Sequence, residues 1–233
     1  ETLPYLPNVR AQELARGRSY AIGVLTQDIS NAFFGSILKG IEQGLGGSRF
    51  HPLVASGWDR EKVRQALDLF LAYRVDLLVA VGGQIPEDEL LRVAERVPLI
   101  VVGQRVRGLE DHCVRVENFK GGFEATRHLL GLGHRRIAHI TGLPDHPDSI
   151  DRREGYARAL RDAGIALDPR LIVEGDFEEG SGLRGVETLL SRRIAFTALF
   201  TGNDQMAYGA LLGLSRRGRQ VPADVSIVGF DDQ

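Results

Sequence analysis

Seven short stretches of this chain gather hydrogen-bonding side chains, glycines and aromatic rings. They are Asp28-Ile29-Ser30-Asn31, Gly82-Gly83, Gln104-Arg105, the run from Gly142 to Asp148, Gly175-Asp176-Phe177, Gly202-Asn203-Asp204 and Phe230-Asp231-Asp232. Amides, carboxylates, a guanidinium and aromatic faces are the lining of a site for a small polar ligand. Three common signatures of catalysis or nucleotide binding are missing, so an enzyme is the least favoured reading. The chain has no phosphate-cradling G-x-x-x-x-G-K, no zinc-ligand spacing and no nucleophile elbow. Its six histidines are scattered, and His134 beside Arg135-Arg136 reads as a helix-to-strand turn residue rather than a base. Taken singly, each of the seven stretches reads as an ordinary polar turn. A binding function requires that the fold bring them to a common edge.

The elements between them supply that edge. Ala21 to Leu25 is an apolar, β-branched run without polar alternation, as in a strand buried on both faces. Phe33 to Leu45 follows at helical spacing, with Phe34, Ile37, Leu38, Ile41 and Leu45 on one side. His51 to Ala55 predicts a second strand, and Asp59 a cap for a helix with Val63, Ala66, Leu67, Phe70 and Leu71 inward. Leu77 to Val81, a helix opened by Pro86, and Leu99 to Val102 continue the alternation. The rhythm then resets. Asn118 is read as the cap of a helix reaching about Leu132, followed by strand Ile137 to Thr141 and helix Arg152 to Ala163. Strand Leu171 to Glu174, helical Gly185 to Arg192, strand Ala198 to Phe200, helix Met206 to Arg217 and strand Ser226 to Gly229 complete the series. Repeated β-α-β units imply parallel sheets with helices on both faces. In such sheets ligands bind beyond the carboxyl ends of the strands, where all seven stretches fall.

Bulk composition narrows the partners. Lys plus Arg is 29 against 31 for Asp plus Glu, a formal net charge of −2, so the body is not coated for gripping nucleic acid. Cys113 is the only cysteine, so no internal disulfide forms and a reducing cytoplasm is the expected home. No apolar run approaches the ~18 residues of a membrane span. Glu1-Thr2-Leu3-Pro4 has neither an initiator Met nor the character of an export signal, so the chain is expected to begin inside a longer protein.

Several motifs carry a family resemblance. Ile22-Gly23-Val24-Leu25 with Asp28-Ile29-Ser30-Asn31-Ala32-Phe33-Phe34 resembles the first strand and effector loop of the lactose-repressor/galactose-repressor family, Ala32 replacing a usual proline. His128-Leu129-Leu130 with Gly133-His134-Arg135-Arg136-Ile137 resembles its HL…GHRRI segment, and Arg152, Gly155 and Tyr156 its RxxGY helix start. Gly202 to Gly209 and Val225 to Asp232 are similar to two further signatures. The resemblance implies two doubly wound α/β lobes, like those of periplasmic binding proteins, with an effector cleft between them. It divides the chain into a hinge segment and head remnant (1–18), a first lobe (19–117) and a second lobe (118–233).

By the same resemblance, Asn31, Phe33, Phe34, Arg152, Phe177, Asn203 and Asp231 are the expected effector contacts. Phe34, on the apolar face of its helix, is equally suited to the lobe core. Gly103-Gln104-Arg105 departs from the acidic residue that many relatives carry after the fourth strand. Aromatic stacking beside Arg, Asn and Asp suits a sugar more than a nucleobase. No cofactor and no metal are implied. Leu3 to Gly17 resembles the end of a DNA-reading head plus a hinge helix, with Asn8, Ala11 and Leu14 facing the operator's minor groove. Only about two turns fit between Pro7 and Gly17, too few for a lone helix to hold in water. The expected protein is a cytoplasmic DNA-binding regulator, a repressor, acting as a homodimer. A periplasmic-type sugar-binding protein is the alternative on the same fold. The family also returns to its first lobe after the GFDD strand, so a further first-lobe strand is expected beyond Gln233.

Overall fold

The computed structural model describes residues 18–233. The chain divides between Val116 and Glu117 into two compact units, each an α/β layer structure of its own. In the first unit the strands are β1 (Ala21–Thr26), β2 (His51–Ser56), β3 (Leu77–Val81), β4 (Leu99–Val102) and β5 (Cys113–Val114), in spatial order β2-β1-β3-β4-β5. All pairings are parallel, with Ile22 opposite Pro52 on one side and Leu77 on the other. Three helices connect them: α1 (Ala32–Gly44), α2 (Arg60–Ala72) and α3 (Glu87–Ala94). Every residue of β1 is buried, as its unbroken apolar run requires.

The sheet carries a separate core on each face. Ile22, Val24, Val79 and Val81 pack with Phe34 under α1. Leu25, Leu67, Phe70, Leu78, Leu90 and Val101 pack on the other side under α2 and α3. Helix starts are fixed by side chains. The Asn31 side chain accepts the Phe33 N–H at 3.0 Å, and Asp59 accepts that of Lys62 at 2.8 Å. Glu87, Asp88 and Glu89 lie in the first turn of α3, where the helix dipole favours negative charge.

The second unit repeats the plan with β6 (Ile137–Ile140), β7 (Ile172–Val173), β8 (Ala198–Thr201) and β9 (Ser226–Val228), in order β7-β6-β8-β9, again parallel. Helices α4 (Asn118–Gly131) and α5 (Pro147–Asp162) cover one face; Leu129, Ile137, Tyr156, Leu160 and Phe200 fill that core. Helices α6 (Glu179–Ser191) and α7 (Asp204–Arg216) cover the other over Ile140, Leu189, Leu199, Met206 and Leu214.

Three local expectations change. Asn118 is not a cap: Glu117 occupies that position without a capping bond, and Asn118 is buried in the first turn of α4. Helix α5 starts at Pro147, with the His146 ring accepting the Asp148 N–H at 3.3 Å, so Arg152 lies in its second turn. The early turns hide from a hydrophobic pattern because Ser149 and Arg152 face inward while Ile150 is exposed. Helix α6 begins six residues before the Gly185 that sequence marks, since glycines at 180, 182 and 185 break its apolar rhythm.

Gly182 of α6 and Gly209 of α7 allow the two helices to touch backbone to backbone. A Cβ on Gly182 would overlap the Met206 carbonyl oxygen, and one on Gly209 the Glu179 carbonyl oxygen. Gly209→Ala is therefore expected to cost ~1–3 kcal/mol of unfolding free energy by overpacking. Gly131→Ala, which meets nothing within 4 Å, is expected to be neutral or to stabilise by up to ~1 kcal/mol. Urea unfolding of both variants checks the contrast; equal losses would contradict this packing.

Candidate functional site

The carboxyl ends of β6, β7, β8 and β9 open onto Gly142, Gly175-Asp176-Phe177, Gly202-Asn203 and Gly229-Phe230-Asp231. Arg152 enters this edge from α5 and is only 5% exposed. Its Nε donates to the Asn118 Oδ1 at 2.8 Å, and its Nη1 donates to the Gly202 carbonyl. The guanidinium carbon lies 3.7 Å from the centre of the Phe230 ring and 5.9 Å from that of Phe177. Nη2 is 3.5 Å from the Asp231 Oδ1, an ion pair too long for a direct hydrogen bond. The fork is thus anchored on two sides, and its Nη2 faces a carboxylate across a gap.

A second carboxylate joins through Asn118, whose Nδ2 donates to the Asp148 Oδ1 at 2.7 Å. Burial dominates the charge balance of the whole group. It pushes the Arg152 guanidinium below its ordinary value, against the pull of Asp231, Asp148 and Asp204. It raises the Asp148 carboxyl and lowers the His146 imidazole. It drives Asp231 up to about 6; Arg152 offsets part of that rise, while Asp204 and Asp148 add to it.

Backbone conformation is unusual at the same edge. Phe177, Asp231 and Asp232 have φ of 69°, 102° and 61°. Asp tolerates such angles better than a bulky aromatic does, and backbone strain of this kind concentrates at binding sites. Phe177 is held there from three sides. Its carbonyl accepts the Asn203 Nδ2 at 2.8 Å, the neighbouring Asp176 Oδ1 accepts the Glu178 N–H at 2.9 Å, and its ring fills space that a Cβ on Gly142 would need. His146 meets the Phe177 ring edge-on at 5.3 Å.

The comparisons with known proteins bear on what such an edge is for. Residues 19–232 match the family model described as periplasmic binding proteins and sugar binding domain of LacI family. The chain belongs to the LacI family of transcriptional regulators. It is 34% identical to the HTH-type transcriptional regulator GalR of Escherichia coli strain K12 over 234 residues, covering 100% of this chain and 68% of that protein. It is 32% identical to the HTH-type transcriptional repressor CytR of the same strain, covering 98% of this chain and 67% of that one. The crystal structure of a sugar-binding LacI-family regulator from Escherichia coli, complexed with phosphate, superposes with a TM-score of 0.80 at 34% identity. That match spans 93% of this chain and 80% of the other. The protein is accordingly a DNA-binding regulator with a ligand-binding domain, not an enzyme.

Within this LacI-family domain the expected contacts fall into distinct settings. Arg152, Phe177, Asn203 and Asp231 come together at the edge of the second sheet. Asn203, 4% exposed, caps α7 by accepting the Met206 N–H at 3.0 Å and also ties down Phe177. In the first unit Asn31 caps α1, Phe34 is a core residue at 7% exposure, and Phe33 lies half-buried beside it, ring centres 5.3 Å apart. Gln104 is occupied locally: its side chain accepts the Ile85 N–H at 2.9 Å and donates to the Ile85 carbonyl at 2.7 Å. Asn8, Ala11 and Leu14 lie outside the described residues. Among those described, no group of His, Cys, Asp and Glu is placed to hold a metal, and no helix is long and apolar enough to cross a membrane.

Sequence reasoning missed Asn118, Asp148, His146 and Phe230 as members of this group. Phe230, His146 and Asp148 fall in stretches that the sequence singles out, so position was the available signal. Asn118 has none, because an Asn at a helix start reads as a cap.

A raised carboxyl in the folded state has a definite sign. Between pH 4 and pH 6 folded Asp231 keeps a proton that the unfolded chain has already released. Stability contributed by this group therefore falls as pH rises through that window, and the deficit persists above it. Asp231→Asn is expected to raise apo stability at pH 7 to 8 by on the order of 1–3 kcal/mol, with the gain vanishing below pH 4. Denaturant titrations across pH check it; a loss of ~3–5 kcal/mol at pH 7 would mean a closed structural ion pair instead.

Proposed function

We propose that this chain is the effector-binding part of a repressor whose operator affinity is set by a small polar molecule, a sugar in preference to a nucleobase. The supporting observation is the incomplete engagement of Arg152 and Asp231. A buried guanidinium and a buried carboxyl face each other at 3.5 Å with aromatic rings beside them. A pyranose has apolar C–H faces for Phe177 and hydroxyls that donate to Asp231 while accepting from the Arg152 Nη2. Sugar binding is in the description of the matched family model and in that of the solved Escherichia coli regulator. Asn31 and Phe33 are the proposed contribution of the first unit.

The repressor reading is supported by the likeness to CytR. It includes the operator, reached through a hinge with Asn8, Ala11 and Leu14 toward the minor groove, a homodimer, since closed two-fold assemblies are the commonest, and a cytoplasmic setting. Effector and operator then act on one equilibrium, each changing the other's affinity by the same factor, ~5–150-fold in comparable systems. A periplasmic-type sugar carrier is the competing reading of such a fold; it has no operator to couple to.

Thermal unfolding against a panel of mono- and disaccharides and nucleosides tests the site. The cognate sugar is expected to stabilise the fold by ~2.7 kcal/mol at a hundredfold excess over its Kd. Asp231→Asn should remove most of that gain while the protein stays folded. Arg152→Ala is the poorer probe, since it also orphans the Gly202 carbonyl and Asn118. A sugar that stabilises Asp231→Asn as fully as the wild type would sink this assignment.

A further inference from the structure

The Gly133-His134-Arg135-Arg136-Ile137 segment takes no part in the site above, yet it borders a cavity of about 360 Å³. The cavity lies at the amino edge of the second sheet, where β6 begins at Ile137 and the β7 segment begins beside Leu171. Its size is at the lower end of the ~300–1,000 Å³ typical of small-molecule pockets. Leu160, Ile165 and Leu167 give it apolar walls, and Tyr156 lines it from α5, four residues after Arg152.

The polar groups around it are unequal. The Tyr156 hydroxyl is spent, donating to the Ile137 carbonyl at 2.8 Å. Asp168 is spent too, on both arms of Arg170 at 2.9 Å and on the Arg170 N–H at 3.0 Å. His134 bridges Thr197 and Ser226 at 2.9 and 3.1 Å, pinning the starts of β8 and β9. Arg136 hydrogen-bonds only through its Nε, which donates to the Ala195 carbonyl at 2.5 Å, and its charge helps the Arg170 hydrogen bonds to hold the Asp168 carboxyl below its ordinary value. Arg135 has no hydrogen bond or ion pair among the described residues. The unspent hydrogen-bonding capacity at the mouth is therefore cationic and planar, above a body that is apolar. A guanidinium fork is the group that best matches a carboxylate or phosphate.

We propose that this cavity is a second small-molecule site, remote from the effector edge, that takes an organic anion with an apolar body. The charged end meets Arg135 and Arg136, and the apolar end lies against Ile165 and Leu167. A neutral molecule of the same shape gains only the apolar contact, so charge is the discriminating feature.

Phenylacetate and its neutral isostere phenylacetamide are suitable probes, titrated into the whole chain and followed by amide chemical shifts. Phenylacetate is expected to give saturable shifts at Ile165, Ala166 and Leu167, with phenylacetamide at least tenfold weaker. Arg135→Gln breaks no hydrogen bond or ion pair among the described residues and should weaken phenylacetate at least tenfold. Ala166→Trp fills the cavity from an exposed position and should abolish the saturable shifts. Equal binding of the two probes, binding indifferent to Arg135→Gln, shifts centred on Phe177 and Asp231 instead, or no saturation by either probe would each overturn the proposal.

Discussion

The buried guanidinium of Arg152 is the constraint around which the second unit is arranged. A charge taken from water into a protein interior must find partners or cost several kcal/mol. Here the partners come from three directions: Asn118 in the first turn of α4, the Gly202 carbonyl after β8, and Asp231 after β9. The need for them accounts for features that are otherwise odd. A helix opens with its polar residues facing inward, an Asn is buried where a cap would serve, and two consecutive aspartates adopt positive φ. Gly122 and Gly155 let α4 and α5 approach closely enough to deliver Asn118 to Arg152, since a Cβ on either would overlap the backbone of the other helix.

The balance of that arrangement is the ground for the proposed ligand role. Asp231 gains from Arg152 but loses more by burial, and the neighbouring Asp148 and Asp204 work against its charged form. A pair built for stability would close to hydrogen-bond distance and hold the carboxyl low. This one stays open at 3.5 Å with the carboxyl high. Backbone strain at Phe177 points the same way, because strained residues persist only where surrounding contacts enforce them. Stability given up at a site is a common counterpart of function.

Much of the fold was legible because its signals are strong and local. The unbroken apolar run of β1, the cap at Asp59 and the helix opened at Pro86 each have one physical reading, and the doubly wound class follows from the order of such elements, whereas the cap at Asn31 emerged only from the structure. What sequence concealed were places where long-range packing overrides local rule. Asn118 has the local character of a cap but is claimed by Arg152 and Asp148 from another helix. The start of α5 fails a hydrophobic-face test because its buried face is polar. Glycines in α6 read as breakers, although Gly182 is the contact point for α7 and Gly185 packs on Ile140 of β6. In the candidate site, residue types alone did not single out Arg152, Phe177, Asn203 and Asp231, which the family likeness proposed and the structure brings to one edge. Spacing alone could not say that Asn203 caps a helix or that Phe34 lies in a core.

The most direct test is a carbon-detected NMR titration of the Asp231 side-chain carboxyl, without and with a saturating cognate sugar. The account predicts a midpoint near pH 6 in the unliganded protein. It predicts a clear fall toward the ordinary aspartate range once sugar hydroxyls donate to the carboxylate. A midpoint at or below the ordinary value in the unliganded protein, unmoved by ligand, would identify Arg152 and Asp231 as a closed structural pair and contradict the account.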